Sequence, residues 1–165
     1  MKLKLLLILI CSTFALSGQQ FIGSIEVLDP LMEELISPSE RMEILAEGFK
    51  WAEGPLWVPQ LNGLLFTDVP ENKIYLWTEK EGLKLFLSPS GMTNHAPHSA
   101  NEGANGLALD SDGKLVLCQH GNRAVARLKD WNTDKPEFEF LIDHYDGKWF
   151  NSPNDLVFNT KDELF

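Results

Sequence analysis

The chain has few cysteines and few basic residues, and its composition excludes several classes of protein function. It has two cysteines, and 24 acidic residues against 14 basic ones, so its formal net charge is −10. This charge, without any Lys/Arg cluster, argues against a nucleic-acid-binding surface. The sequence also lacks a Gly-x-Ser-x-Gly motif, so nucleophilic serine chemistry has no support. An acidic surface suits a neutral or cationic substrate, or a metal ion.

One long apolar run is present, and it lies at the N-terminus. Two lysines precede an apolar stretch at residues 5–16, which is too short to span a bilayer, and a small-x-small pattern ends at Ser17. We therefore expect residues 1–17 to be a signal peptide, and the protein to be exported to the periplasm or secreted, with no membrane span. Without that leader Cys118 is the remaining cysteine, and we expect it to be a small buried side chain on a strand.

A repeated pattern of polar and apolar residues organises the rest of the chain. NGLALDSDGKL at residues 105–115 is matched position for position by NDLVFNTKDEL at residues 154–164, and a related, slightly longer copy starts at Glu53. In each copy an acid or amide opens a short apolar strand, a polar turn follows, and a second strand begins. A period of about 50 residues built from short strands predicts an all-β radial array, most simply a β-propeller.

Turn signals divide residues 43–165 into successive four-stranded blades. We predict a first blade at residues 55–58, 64–68, 73–77 and 83–87, a second at 106–109, 114–118, 124–129 and 137–142, and the start of a third at 155–158 and 163–165. Residues 18–42 form an N-terminal extension, in which Asp29 and Pro30 begin a short helix at residues 30–36. Residues 43–46 are candidates for completing the last blade and closing the ring.

Equivalent positions of successive blades lie at the same height around the central axis. Glu53, Asn105 and Asn154 should therefore converge as oxygen donors, which is what a site for a hard cation requires. Glu53 and Asn105 have structural alternatives, because Glu53 can cap a backbone turn and the amide of Asn105 can stabilise one. Asp155 either orients Asn154 or simply starts a strand.

Strand alternation also sorts the connecting segments by face. It places residues 88–104, 119–123 and 143–153 on the side of the proposed site, and the turns at 59–63 and 111–113 on the opposite side. His120 and Arg123 are thereby candidates for contacting a ligand, with an ordinary hairpin tip as the alternative. His95 and His98 have a zinc-like spacing, but no second pair of ligands accompanies them, so we expect solvated loop histidines.

Four motifs carry a family resemblance. They are WAEGPLW at residues 51–57, NGLALD at 105–110, CQHGNR at 118–123 and FNSPNDL at 150–156. In these motifs the chain resembles the gluconolactonase and senescence-marker-protein (regucalcin-like) family over residues 43–165. The resemblance implies a six-bladed propeller with one divalent ion near the axis. This chain would cover about two and a quarter of the six blades. One departure is Trp149, which stands where a basic residue is expected.

The resemblance also implies roles for particular residues. Glu53 is expected to be a metal ligand, and Asn154 to bind the metal or, in some branches, the substrate. Asn105, His120 and Arg123 are candidates for substrate binding. A further Asn, and an Asp acting as acid/base, are expected from later blades beyond Phe165, so no catalytic residue is assigned and this chain alone is expected to be inactive.

The expected activity is metal-dependent hydrolysis of a sugar lactone, a small-molecule ester. A calcium-like ion would polarise the lactone carbonyl, with zinc and magnesium as alternative metals. Two other readings stay open at this point. One is a related metal-dependent esterase or phosphoesterase, and the other is a non-catalytic propeller that binds a partner.

Overall fold

The computed structural model describes residues 20–95 and 102–165. The predicted signal peptide at residues 1–17 and His98 lie outside the described residues. The chain divides into two compact units, Met1–Leu45 and Ala46–Phe165. Within the described ranges, no helix has the length and apolar character needed to cross a membrane.

The first unit contains a short two-stranded ladder and one turn of helix. Strand β1 (Gln20–Ile22) pairs antiparallel with β2 (Met42–Ile44), and a 3-10 helix covers Pro30–Glu34. The side chain of Asp29 accepts the N–H of Leu31 at 2.9 Å and so caps this helix as predicted, although the helix is of the 3-10 type and shorter than residues 30–36.

The role of residues 43–46 as a ring-closing strand stays a prediction, because the described residues form only part of a ring. In this structure Met42–Ile44 pairs with Gln20–Ile22, a strand that the sequence pattern did not predict. A strand of three residues is too short to display an alternating pattern, and all three of its residues are exposed.

Two four-stranded antiparallel meanders form most of the second unit. The first sheet contains β3 (Ala52–Val58), β4 (Gly63–Asp68), β5 (Lys73–Thr78) and β6 (Gly82–Leu87), in that order. The second contains β7 (Ala104–Leu109), β8 (Leu115–Gln119), β9 (Ala124–Leu128) and β10 (Phe138–Ile142), also in chain order. All eight predicted blade strands are confirmed, with small shifts at their ends.

The predicted third copy is present as a hairpin. Val157 and Phe165 exchange two main-chain hydrogen bonds of 3.0 and 2.9 Å. At its turn, Asn159 Oδ1 accepts the N–H groups of the residues two and four positions later, and Asp110 Oδ1 does the same in the second blade. The sequence repeat is therefore a repeat of hydrogen bonds as well.

Buried apolar side chains join each copy to the next. A main cluster includes Leu65 and Ile74 from the first sheet and Leu107 and Leu117 from the second. A smaller cluster joins the second sheet to the third hairpin through Val116, Cys118, Val125, Leu156, Phe158 and Leu164. The prediction that Cys118 is buried on a strand is confirmed, since none of its surface is exposed.

The link at residues 143–153 contains a hairpin that the sequence analysis missed. Strands β11 (His144–Tyr145) and β12 (Lys148–Trp149) are joined by Asp146 and Gly147, which both have positive φ angles, 49° and 72°. Two successive positive φ angles are typical of the type I′ hairpin turn, which Asp-Gly favours. The Asp-Gly pair was therefore the available signal.

Candidate functional site

One cavity of about 290 Å³ lies where the three repeat copies begin. It is lined by residues 53–55, 105–107 and 154–155. Glu53, Asn105 and Asn154 are all among them, so the structure brings together the three oxygen donors that the repeat places at equivalent positions. Their binding of a metal stays a prediction.

A β-bulge lies at the cavity in both complete sheets. The register between β3 and β4 shifts between Glu53 and Leu56, and the register between β7 and β8 shifts between Ala104 and Leu107. A bulge bends its strand and re-aims the side chains next to it. The same irregularity therefore lies beside the cavity-lining residues in two successive blades.

Glycine follows the oxygen donor in the first two copies and allows the next copy to approach. A Cβ atom at Gly54 would overlap the carbonyl oxygen of Asn105. A Cβ at Gly106 would lie 2.6 Å from Asp155 Oδ1 and 2.9 Å from the carbonyl oxygen of Asn154. Both distances are below ordinary van der Waals contact, so any side chain here would push the donors apart.

The backbone of Asn105 is fixed from the neighbouring sheet. Its carbonyl oxygen accepts a hydrogen bond of 3.2 Å from the hydroxyl of Thr67, which is fully buried. Asn105 itself is buried. This bond uses none of the side-chain amide, whose oxygen and NH₂ group can still serve a ligand.

The two acidic residues at the cavity have different local partners. Glu53 Oε1 accepts a hydrogen bond of 2.7 Å from the indole Nε1–H of Trp51. Asp155 Oδ1 accepts the N–H of Leu156 at 2.8 Å. This contact does not decide between the two sequence interpretations of Asp155, which stay predictions.

The donor set suits a hard cation. It offers the carboxylate of Glu53 and the amide oxygens of Asn105 and Asn154, and calcium is bound in proteins by carboxylates, amide carbonyls and water. Across residues 20–95 and 102–165, no group of three or more His, Cys, Asp or Glu side chains is arranged to hold a metal. A site here would thus depend on amide oxygens beside the carboxylate of Glu53, as the sequence predicts.

His120 and Arg123 lie at the cavity end of the second sheet but do not line the cavity. Gln119 pairs with Ala104, directly before Asn105. His120 Nε2 lies 3.0 Å from Glu102 Oε2, and Arg123 Nη1 donates to the carbonyl oxygen of Asn151 at 3.2 Å. Their role in substrate binding stays a prediction.

His95 contradicts the expectation of a solvated loop histidine. Its ring stacks on Phe140 with centroids 3.5 Å apart, and its Nε2 lies 2.9 Å from Asp143 Oδ2. The physical reason is Asn122, which is fully buried and accepts the main-chain N–H groups of Thr93 and His95. Asn122 therefore fixes the backbone of this loop, and the imidazole ring of His95 packs against the second sheet.

Asp143 contacts a second histidine as well. His144 Nδ1 bonds to Asp143 Oδ1. The hydrogen bond from His144, followed by that from His95, lowers the pKa of Asp143 below its usual value of 3.8. The rings of Trp149 and His95 meet at an angle of 76° with centroids 5.8 Å apart, so the residue that departs from the family pattern packs within this cluster. Residues 88–95, 119–123 and 143–153 thus lie together, as strand alternation predicts.

The stacked meanders and the starts of their inner strands define the chain as part of a β-propeller. It belongs to the SMP-30/Gluconolactonase/LRE-like family, whose model matches residues 51–165. The predicted family and fold class are therefore confirmed.

Individual relatives agree with this assignment. A gluconolactonase of Zymomonas mobilis subsp. mobilis is 34% identical over 146 residues, which are 87% of this chain and 40% of that protein. The structure of a Xanthomonas campestris gluconolactonase, described as important in glucose secondary metabolic pathways, matches 75% of this chain with a TM-score of 0.62 and 28% identity, and 37% of that chain is covered. An X-ray structure of a protein assigned as a gluconolactonase matches 73% of this chain with a TM-score of 0.59 and 32% identity, again over 37% of its length. The chain thus spans well under half the length of these relatives.

Proposed function

We propose that the protein, at the length of its relatives, hydrolyses a sugar lactone with the help of a divalent metal ion. The observation that carries this proposal is the cavity that Glu53, Asn105 and Asn154 line together. Membership of a family with gluconolactonases supports the substrate class. Calcium is the proposed metal because all three donors offer oxygen atoms, and zinc and magnesium are the alternatives.

Glu53 and Asn154 are the residues that would hold the ion. When bound, a divalent ion polarises an ester carbonyl and stabilises the oxyanion that forms on attack. Glu53 supplies the negative charge, and its carboxylate has a second oxygen besides the one that Trp51 contacts. Asn105 is buried at the cavity wall, so its amide can orient a polar group of the substrate without competition from bulk water.

No acid/base is assigned among the residues that the structure describes. We expect an Asp from a later blade to take that role, as the family resemblance implies. The chain covers 40% of the Zymomonas relative. The activity is therefore proposed for the full-length protein and is tested on it. Expression with its leader in a bacterium also tests the proposed export, by the mass of the periplasmic product.

The decisive experiment measures lactone hydrolysis by the purified full-length protein before and after chelation. We expect chelation to abolish turnover and added calcium to restore it. Glu53→Gln and Asn154→Ala should each weaken calcium binding and turnover about tenfold or more, because a site with few protein ligands depends on each of them. The matched controls are Glu79→Gln and Asn132→Ala, which change exposed residues far along the chain from the cavity motifs.

Two results would contradict this function. Turnover that persists unchanged after chelation would remove the metal from the mechanism. Unaltered calcium affinity in both Glu53→Gln and Asn154→Ala would remove the cavity from it. Cleavage of a phosphoester or simple ester in preference to lactones would contradict the proposed substrate class but not the proposed metal site.

A further inference from the structure

The indole of Trp51 contacts Glu53, the proposed metal ligand. Trp51 is 63% exposed, yet the single donor of its ring, the indole Nε1–H, points to Glu53 Oε1 at 2.7 Å. Trp51 lies directly before β3 and Glu53 is the second residue of that strand, so only Ala52 separates the indole from the carboxylate that it contacts. The contact therefore lies at the proposed metal ligand.

The backbone of Trp51 is anchored independently of its ring. Its N–H donates to Oδ1 of Asp68 at 3.2 Å, while the N–H of Lys50 donates to Oδ2 of the same carboxylate at 3.1 Å. The carbonyl oxygen of Trp51 accepts the N–H of Val69 at 3.2 Å. Asp68 is buried. The backbone that bears the indole is thus fixed at the C-terminal end of β4, although the ring itself is in contact with solvent.

The chemistry of this donor suits a metal ligand. A glutamate side chain has several rotamers, and fixing them when the ion arrives reduces the affinity. A hydrogen bond to one carboxylate oxygen fixes the orientation in advance. The indole N–H is a donor without charge, so it leaves the negative charge of Glu53 available, whereas a Lys or Arg in the same place would neutralise it.

We propose that Trp51 is a positioning residue that holds the Glu53 carboxylate ready for the metal ion, an inference that rests on the proposed function. Removing an outer partner of a metal ligand reduces metal affinity by about 10- to 100-fold. Trp51 therefore sets the affinity for the ion rather than the chemical step.

The test compares Trp51→Phe with Trp57→Phe in the full-length protein. Phe keeps an aromatic ring and removes the N–H. Trp57 lies within β3 and is 51% exposed, but it pairs with Leu64 toward the other end of the sheet. Calcium affinity is measured by isothermal titration calorimetry, thermal melting is followed without metal, and turnover is measured at increasing calcium.

We expect Trp51→Phe to weaken calcium binding about tenfold, with an unchanged metal-free melting temperature and turnover restored at saturating calcium. Trp57→Phe should bind as the wild type. Equal affinities in both variants and the wild type would overturn the role of Trp51 and leave the lactonase proposal intact. A wild-type protein that binds no divalent ion would instead overturn the proposed function, and this inference with it.

A second measurement does not depend on the stability of Trp51→Phe. In the metal-free protein, Glu53→Gln should shift the indole N–H resonance of Trp51 in an NMR spectrum and leave that of Trp57 in place. An unchanged Trp51 resonance would show that the pair is not formed in solution, and would overturn the positioning role.

Discussion

Gly106 donates its main-chain N–H to the carbonyl oxygen of Asn154 at 2.8 Å. This bond joins the inner strand of the second blade to the start of the third copy, at the level of the cavity. It forms only because Gly106 has no side chain between the two backbones. The spacing of the proposed oxygen ligands thus depends on contacts between backbones, and the glycines after Glu53 and Asn105 are part of the site.

Replacing Gly54 by Ala tests this dependence. Gly54 has a φ of +53°, and its new Cβ would overlap the carbonyl of Asn105, so we expect both backbone strain and displacement of Asn105. Gly82→Ala is the matched control, since Gly82 has a φ of +66° with open space around the new Cβ. Urea unfolding should show Gly54→Ala to be less stable than the control by about 1–3 kcal/mol, and calorimetry should show weaker calcium binding. Equal losses of stability and of calcium affinity in the two variants would mean that backbone strain alone, and not the displacement of Asn105, causes the effect.

Repetition is the reason why the sequence could predict so much of this site. Two copies with the same spacing of polar and apolar residues predict the same backbone, and the first residue of each copy then falls at the same level. Glu53, Asn105 and Asn154 could be identified in this way because each belongs to the pattern. The hydrogen bonds at Asp110 and Asn159 show that the equivalence extends to single contacts.

Contacts outside the repeat could not be predicted in the same way. The pairing of Gln20–Ile22 with Met42–Ile44 joins two segments that have no common pattern. The stacking of His95 on Phe140 depends on where a long link folds back, which no local propensity encodes. The bond between Trp51 and Glu53 requires side-chain geometry, although their separation by two residues was a usable hint.

Asn122 should be essential for holding the link between the first and second blades. Its fully buried side chain accepts two main-chain N–H groups and donates to Gln119 and Thr93. Asn122→Ala leaves several buried polar groups without partners, each of which costs about 1–3 kcal/mol. We expect faster amide hydrogen exchange at Thr93 and His95 in Asn122→Ala. The exposed control Asn132→Ala should leave the exchange rates of both amides unchanged. Unchanged exchange at both amides would contradict the role of Asn122.

The cluster around Asp143 predicts a particular dependence of stability on pH. The folded state lowers the pKa of this carboxyl below 3.8, so its ionised form contributes stability above that value. The contribution is lost as the pH falls through the lowered pKa. The melting temperature of Asp143→Asn should therefore lie below that of the wild type at neutral pH, and the difference should disappear in acid. The control is Asp134→Asn, in an exposed loop. A difference in melting temperature between Asp143→Asn and the wild type that grows in acid would contradict the predicted direction of the pKa shift.

Cys118 should be chemically inert in the folded protein. Burial, followed by the nearby charge of Asp155, raises the pKa of its thiol to about 12, so the reactive thiolate is scarce at pH 8. In a Cys11→Ser background, iodoacetamide should label Cys118 only after denaturation, as read by intact mass. Rapid labelling under native conditions would show that the contact between the second sheet and the third hairpin opens readily.

The position of a bound calcium ion tests the central claim most directly. Crystals of the full-length protein grown with saturating calcium should show one ion within about 2.3–2.6 Å of a carboxylate oxygen of Glu53 and the amide oxygen of Asn154. Glu53→Gln crystals grown in the same way should show that ion weakened or lost. A cavity without an ion at saturating calcium, or an ion bound only elsewhere on the protein, would contradict the account.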